Sequence, residues 1–180
     1  NQNDILHRAI TNGAYNVENV SETISPSMDI QIASNFERLI FDLNNHSDKK
    51  TIDVMKGIKE KGKYEIQKEN LDKINVDFLS SRMDENEVLN TIKTVYEKFD
   101  KVLDPHSAIG YGAFDKVDLK GNNIVLATAH PCKFPGAIEK AINIKAELPD
   151  ELLFILDEKE NYDIIDNDLN KIKQYIKERI

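Results

Sequence analysis

The chain has 180 residues, 40% of them hydrophobic and 31% charged, with only 7 glycines and 5 prolines. That excludes collagen-like, disordered and disulfide-scaffold classes and leaves enough apolar material for a real core, in one domain or a domain and part of another. Acidic residues outnumber basic ones 32 to 24, a net charge of −8, which argues against a nucleic-acid partner held through its phosphates.

In chain order, Asn3 is placed to cap a first helix that begins at Asp4 and stops at Asn12-Gly13, where a left-handed residue is tolerated. Residues 15–25 read as a loop or short strand. A second helix is expected over 29–43, with Ile32, Phe36, Leu39, Ile40 and Leu43 at three-four spacing. A third covers 51–61 and closes on Gly62. Residues 64–66 and 76–80 read as short strands flanking a short helix that carries Leu71 and Ile74. Asp84 caps a strong helix over 85–99, with Val88, Leu89, Ile92, Val95, Tyr96 and Phe99 inward. Asp104-Pro105-His106 has the form of a helix start, with proline at the first helical position, and the helix runs to about Phe114. After a turn at 120–123, Ile124-Val125-Leu126-Ala127 is a continuous apolar run that reads as a strand buried on both faces, as in parallel sheets. A helix over 135–143 and two tail helices separated by the polar stretch 157–163 complete the chain.

Few side-chain patterns carry chemistry by themselves. Cys132 is the only cysteine, so no internal disulfide is possible and a reducing, cytoplasmic setting is expected. His130-Pro131-Cys132 has no second cysteine to complete a zinc site. Gly110-Tyr111-Gly112 lacks the third glycine of a dinucleotide fingerprint, since position 115 is Asp, and reads better as small residues at a close helix contact. No apolar run reaches the roughly 18 residues of a membrane span, so no membrane partner is expected. Two segments stand apart. The loop Ser25-Pro26-Ser27-Met28-Asp29-Ile30 precedes a helix, and polar Thr128 and His130 follow the apolar run, at the end of a strand where open α/β sheets place their ligands.

These segments carry a resemblance to a family. Residues 25–38, from Ser25-Pro26-Ser27-Met28-Asp29-Ile30 to Ser34-Asn35-Phe36-Glu37-Arg38, are similar to the SPSMDI-x-x-SNFER signature of threonine synthase. Asp104-Pro105-His106-Ser107-Ala108-Ile109-Gly110 resembles its DPH[TS]A-x-G motif, and Thr128-Ala129-His130-Pro131-Cys132-Lys133-Phe134 its TAHP-x-KF motif. The opening Asn1-Gln2-Asn3-Asp4-Ile5-Leu6 resembles the end of its ATN-x-NDIL segment, and with no Met at the start the chain is expected to be a fragment. The resemblance implies an α/β fold, the helix-rich C-terminal part of a fold type II pyridoxal-phosphate enzyme with a mostly helical insertion. It implies a lyase of threonine biosynthesis that converts O-phosphohomoserine and water to L-threonine and phosphate with pyridoxal 5'-phosphate. Residues 1–34 and 104–145 would belong to the cofactor-binding domain, 35–103 to the insertion and 146–180 to a C-terminal tail. The family's Schiff-base lysine and phosphate-binding loop lie upstream, and no lysine here stands in its Phe-Lys-Asp context, so the fragment is expected to be inactive without the missing N-terminal part. No catalytic residue is therefore assigned within it. Thr128 matches the position that faces the cofactor's pyridine nitrogen, and Ser27, Asp29, Asn35, Arg38 and His130 are candidates for the substrate side. The competing reading is a non-catalytic helical interaction or regulatory module, which has little reason to keep polar residues after a buried strand.

Overall fold

The computed structural model describes residues 1–180. Helix α1 (Ile5–Asn12) ends on Gly13, whose φ of 81° lets its N–H reach back to the Ala9 carbonyl. A Cβ on Gly13 would lie 2.9 Å from the Ile66 carbonyl oxygen, so the same glycine allows the chain to turn tightly into β1 (Ala14–Asn16). After α2 (Phe36–Leu43) and α3 (Asp48–Lys61), Gly62 makes a second left-handed turn into β2 (Lys63–Glu65). The two strands pair antiparallel, with Tyr15 opposite Tyr64. Helix α4 (Lys68–Asp77) follows. Ile5, Ala9, Tyr15, Phe36, Ile40 and Ile74 meet in the first apolar core. There Tyr15 stacks on Phe36 at 5.3 Å and its hydroxyl accepts a hydrogen bond from the Ala33 N–H at 2.8 Å. Burial pushes the Tyr15 hydroxyl above its ordinary pKa, which keeps it neutral in this core.

A second core is built by α5 (Glu85–Phe99), α6 (Pro105–Gly112) and α7 (Pro135–Ile142). Val88, Ile92, Ala108, Ile109 and Ile138 fill it, and a fully buried isoleucine such as Ile92 or Ile138 contributes about 2 kcal/mol of transfer free energy. Gly112 makes the close helix contact its sequence suggests: a Cβ there would fall 2.6 Å from the end of Met83. Both cores lie within a compact unit of residues 1–147. Residues 148–180 form a second unit, with a 3-10 segment over Asp150–Leu156 and α8 (Leu169–Lys177) capped by the Asp168 carboxylate. None of the residues of that unit is fully buried. No helix is long and apolar enough to cross a membrane.

Five expectations need correction. The run Ile124–Ala127 is not a buried strand. It has no strand partner, and Ile124 and Leu126 are 88% and 74% exposed. A strand covered on both faces needs neighbours in a sheet, and the chain's one sheet is the β1–β2 pair. The second helix starts at Phe36 rather than near Asp29. Side chains from elsewhere hold residues 29–33 in an extended path, with Asp29 tied to Asn1, Asn3 and Thr23 and the Ala33 N–H tied to Tyr15. Residues 76–80 form no strand, because α4 continues to Asp77. Asp4, not Asn3, holds the N-cap position of the first helix, without a side-chain capping bond, while the Asn3 side chain turns to the Ser21 carbonyl and Asp29; Phe99, the last residue of α5, is 57% exposed rather than inward.

Candidate functional site

The site is organised by the start of α6. Proline at the first helical position fixes the entry, and Asp104 just before it is the N-cap, with its side chain fully buried. Asp104 Oδ1 accepts from the His106 backbone N–H at 2.9 Å and from the His106 ring Nδ1 at 2.9 Å. Its Oδ2 accepts from the Ser107 N–H at 3.3 Å and from the Ser107 hydroxyl. Each of these two side chains then reaches a different loop. The His106 Nε2 accepts from the Ser27 N–H at 3.2 Å, and Ser107 Oγ accepts from the Thr128 N–H at 2.9 Å. An imidazole nitrogen that accepts a backbone N–H carries no proton, so His106 is the neutral Nδ1–H form. The ring packs against Phe134 with centroids 4.6 Å apart.

Ser27 and Thr128 thereby face one groove of about 500 Å³, whose other walls include Met28, Ile109, Phe114 and Leu126. The wall is apolar, with a few hydroxyls at its edge. Thr128 Oγ1 has a single long contact, 3.5 Å to Ser107 Oγ, so its hydroxyl is available to a ligand. The remaining sequence candidates lie apart. His130 caps the 3-10 turn Pro131–Lys133 by accepting from the Cys132 N–H, and it lines a neighbouring groove together with Asp104 and Ser107. Asn35 and Arg38 line a third groove, at the start of α2, with Ser34 and Asp42. Arg38 makes no ion pair with Glu37 or Asp42; Asp42 pairs with His46 instead. The Asp29 carboxylate is taken up by Asn1, Asn3 and the Thr23 N–H and hydroxyl, and so holds the 21–29 loop rather than pointing free. Asp104, His106 and Ser107 were not singled out by the sequence reading. The available signal is the Asp-Pro-His-Ser run, which carries a helix start and a family motif but no sign of which groups it joins.

Comparison with known proteins agrees along nearly the whole chain. A family model described as threonine synthase, C-terminal, matches residues 107–176. The threonine synthase of Pseudomonas aeruginosa is 35% identical over 179 residues, covering 98% of this chain and 38% of that protein. That of Saccharomyces cerevisiae is 34% identical, covering 100% and 40%. The crystal structure of pyridoxal-phosphate-bound threonine synthase from Brucella melitensis superposes with a TM-score of 0.85 at 39% identity, over 98% of this chain and 38% of that one. The chain belongs to the threonine synthase family. It spans about two-fifths of the length of the threonine synthases it matches. Its helix-rich architecture with a small sheet is that of the matching part of the solved threonine synthases. The threonine synthase motifs now have physical content. The Ser-Pro-Ser-Met-Asp-Ile loop and the Thr-Ala-His-Pro turn are opposite sides of one groove, and Asp-Pro-His-Ser ties them together.

Proposed function

We propose that this chain forms the C-terminal part of an enzyme that converts O-phosphohomoserine and water to L-threonine and phosphate, with pyridoxal phosphate as cofactor. The observation that carries the reading is the match over 98% of the chain to a pyridoxal-phosphate-bound threonine synthase. The groove supports it. A planar heteroaromatic ring suits the apolar wall of Met28, Ile109 and Leu126, and the unengaged Thr128 hydroxyl suits one ring nitrogen. The groove offers no cationic side chain for the cofactor's phosphate, in keeping with a phosphate-binding loop upstream. All of its lining residues fall in 1–34 and 104–145, the stretches read as cofactor-binding, which leaves 35–103 as a helical insertion and 146–180 as a tail.

When bound, the cofactor supplies an electron sink for proton movements on the amino-acid substrate. The chain's own residues orient and enclose. Thr128 offers an uncharged donor to the ring nitrogen and leaves it unprotonated, which moderates the sink more than a carboxylate partner would. Asn35 and Arg38, on a separate exposed groove, offer an amide and an unpaired guanidinium for an anionic substrate group, for which a guanidinium's planar fork is suited. Ser27 and His130 flank the Asp104 network on its two sides, and Asp29 shapes the loop that carries Ser27. The test is made on the full-length protein that contains this chain, loaded with pyridoxal phosphate. Release of inorganic phosphate and appearance of threonine from O-phosphohomoserine support the reading; no turnover by a cofactor-loaded protein overturns it.

A further inference from the structure

We propose that Asp104 is a positioning residue that sets both sides of the groove at once, through His106 to the Ser27 loop and through Ser107 to Thr128. An ionised carboxylate only accepts hydrogen bonds, and Asp104 takes four: two backbone N–H groups of α6, the His106 ring and the Ser107 hydroxyl. Both side chains must therefore spend their proton on Asp104. What they turn outward is an acceptor, the His106 Nε2 on one side and the Ser107 oxygen on the other. Those acceptors receive backbone N–H groups 79 and 21 residues away in sequence. One buried charge thus fixes the direction of every proton in the chain from Ser27 to Thr128. Ser107, with its proton committed, has none to give to Thr128 Oγ1; in their long 3.5 Å contact only Thr128 can donate, a weak bond that a better-placed acceptor in the groove displaces.

For the cofactor this rests on the proposed function; the mechanical linkage does not. The test uses the full-length protein and follows amide hydrogen exchange in the segments 25–29 and 126–130. His106→Phe keeps a ring against Phe134 but accepts nothing, and should speed exchange about tenfold in 25–29 alone, as expected for one lost hydrogen bond. Ser107→Ala should do so in 126–130 alone, Asp104→Asn in both, and Ser107→Thr in neither. Titration with pyridoxal phosphate, followed by its absorbance, supplies a second readout: Ser107→Ala should weaken binding about tenfold and Ser107→Thr should stay within about twofold of wild type. Unchanged exchange in both segments for His106→Phe and Ser107→Ala overturns the linkage, even where Asp104→Asn fails to fold. So does Ser107→Ala binding the cofactor as wild type does. If the wild-type protein binds no pyridoxal phosphate, the proposed function fails, and the exchange pattern alone decides the linkage.

Discussion

Thr128 owes its importance to a hydroxyl that the protein leaves unspent. Its backbone N–H is tied to Ser107, while Oγ1 has one contact at 3.5 Å. Valine has nearly the same shape without the donor, so Thr128→Val removes the bond proposed to a ring nitrogen and little else. The cost of an unpaired group is about 1–3 kcal/mol. In the full-length enzyme this substitution should therefore weaken pyridoxal-phosphate binding or slow turnover about 10- to 100-fold, with Thr128→Ser milder, both read by cofactor titration and steady-state kinetics. Arg38 is another site candidate with an unspent group. Exposed, and without the ion pair that would explain it as surface decoration, it should when changed to Ala raise the Michaelis constant for O-phosphohomoserine while leaving cofactor affinity alone. An unchanged constant discards it. Thr128 is nominated in the sequence by a recognisable motif and by a buried strand, of which the structure keeps only the place at the groove. The Asp104 network is not legible there, because hydrogen bonds between residues 27, 106 and 128 have no signature in sequence spacing.

Helix α5 illustrates how far local chemistry dictates an element. The Asp84 side chain accepts from the Glu87 N–H and the Glu87 side chain accepts from the Asp84 N–H, a reciprocal cap that sequence alone marks as a helix start. Asp84→Ala should cost about 1 kcal/mol, visible as a lower urea midpoint. The Lys116 ammonium, 2.6 Å from Glu87, and the Asp84 N–H hold the Glu87 carboxyl below the usual carboxylate range. A depressed folded pKa stabilises the fold above the unfolded value, and that stability is lost as the pH falls through the folded one. Lys116→Met should accordingly flatten the acid side of the stability–pH curve. The segment 29–35 shows the opposite case. Its three-four spacing has a helical period, yet Tyr15, Asn1 and Asn3 capture its polar groups first, and residues 18 or more positions away in sequence override the local preference. A helix with a local capping signal, such as α5, is legible in sequence; the start of α2, which depends on distant partners, is not.

Taken whole, residues 1–147 carry two cores, one gathered around Tyr15 and Phe36 and one around Ile92 and Ile138. Between α6 and α7 the apolar run Ile124–Leu126 lies open, with Ile124 and Leu126 exposed, Val125 half-buried and the backbone of the run unpaired within this chain. The sequence reads as a buried strand there because burial is what such a run requires, and the chain does not itself provide it. The isolated chain should release no phosphate from O-phosphohomoserine even with added pyridoxal phosphate, and turnover by it would refute the assignment of the essential lysine to an upstream region. It should also associate with rising concentration, detectable by light scattering, because an apolar segment with free N–H and C=O groups is a template for pairing with another chain. Ile124→Lys should suppress that association. The same segment sets an order of events during synthesis. Chains fold from the N-terminal end as they emerge, so a run that finds no partner among its own neighbours stays open until a partner from elsewhere in the protein is in place. In a longer protein of this family, the strand-forming edge that receives residues 124–126 would stand open until they arrive, and that interval, rather than the finished enzyme, is when the molecule is most exposed to misassembly and to the chaperones that guard against it.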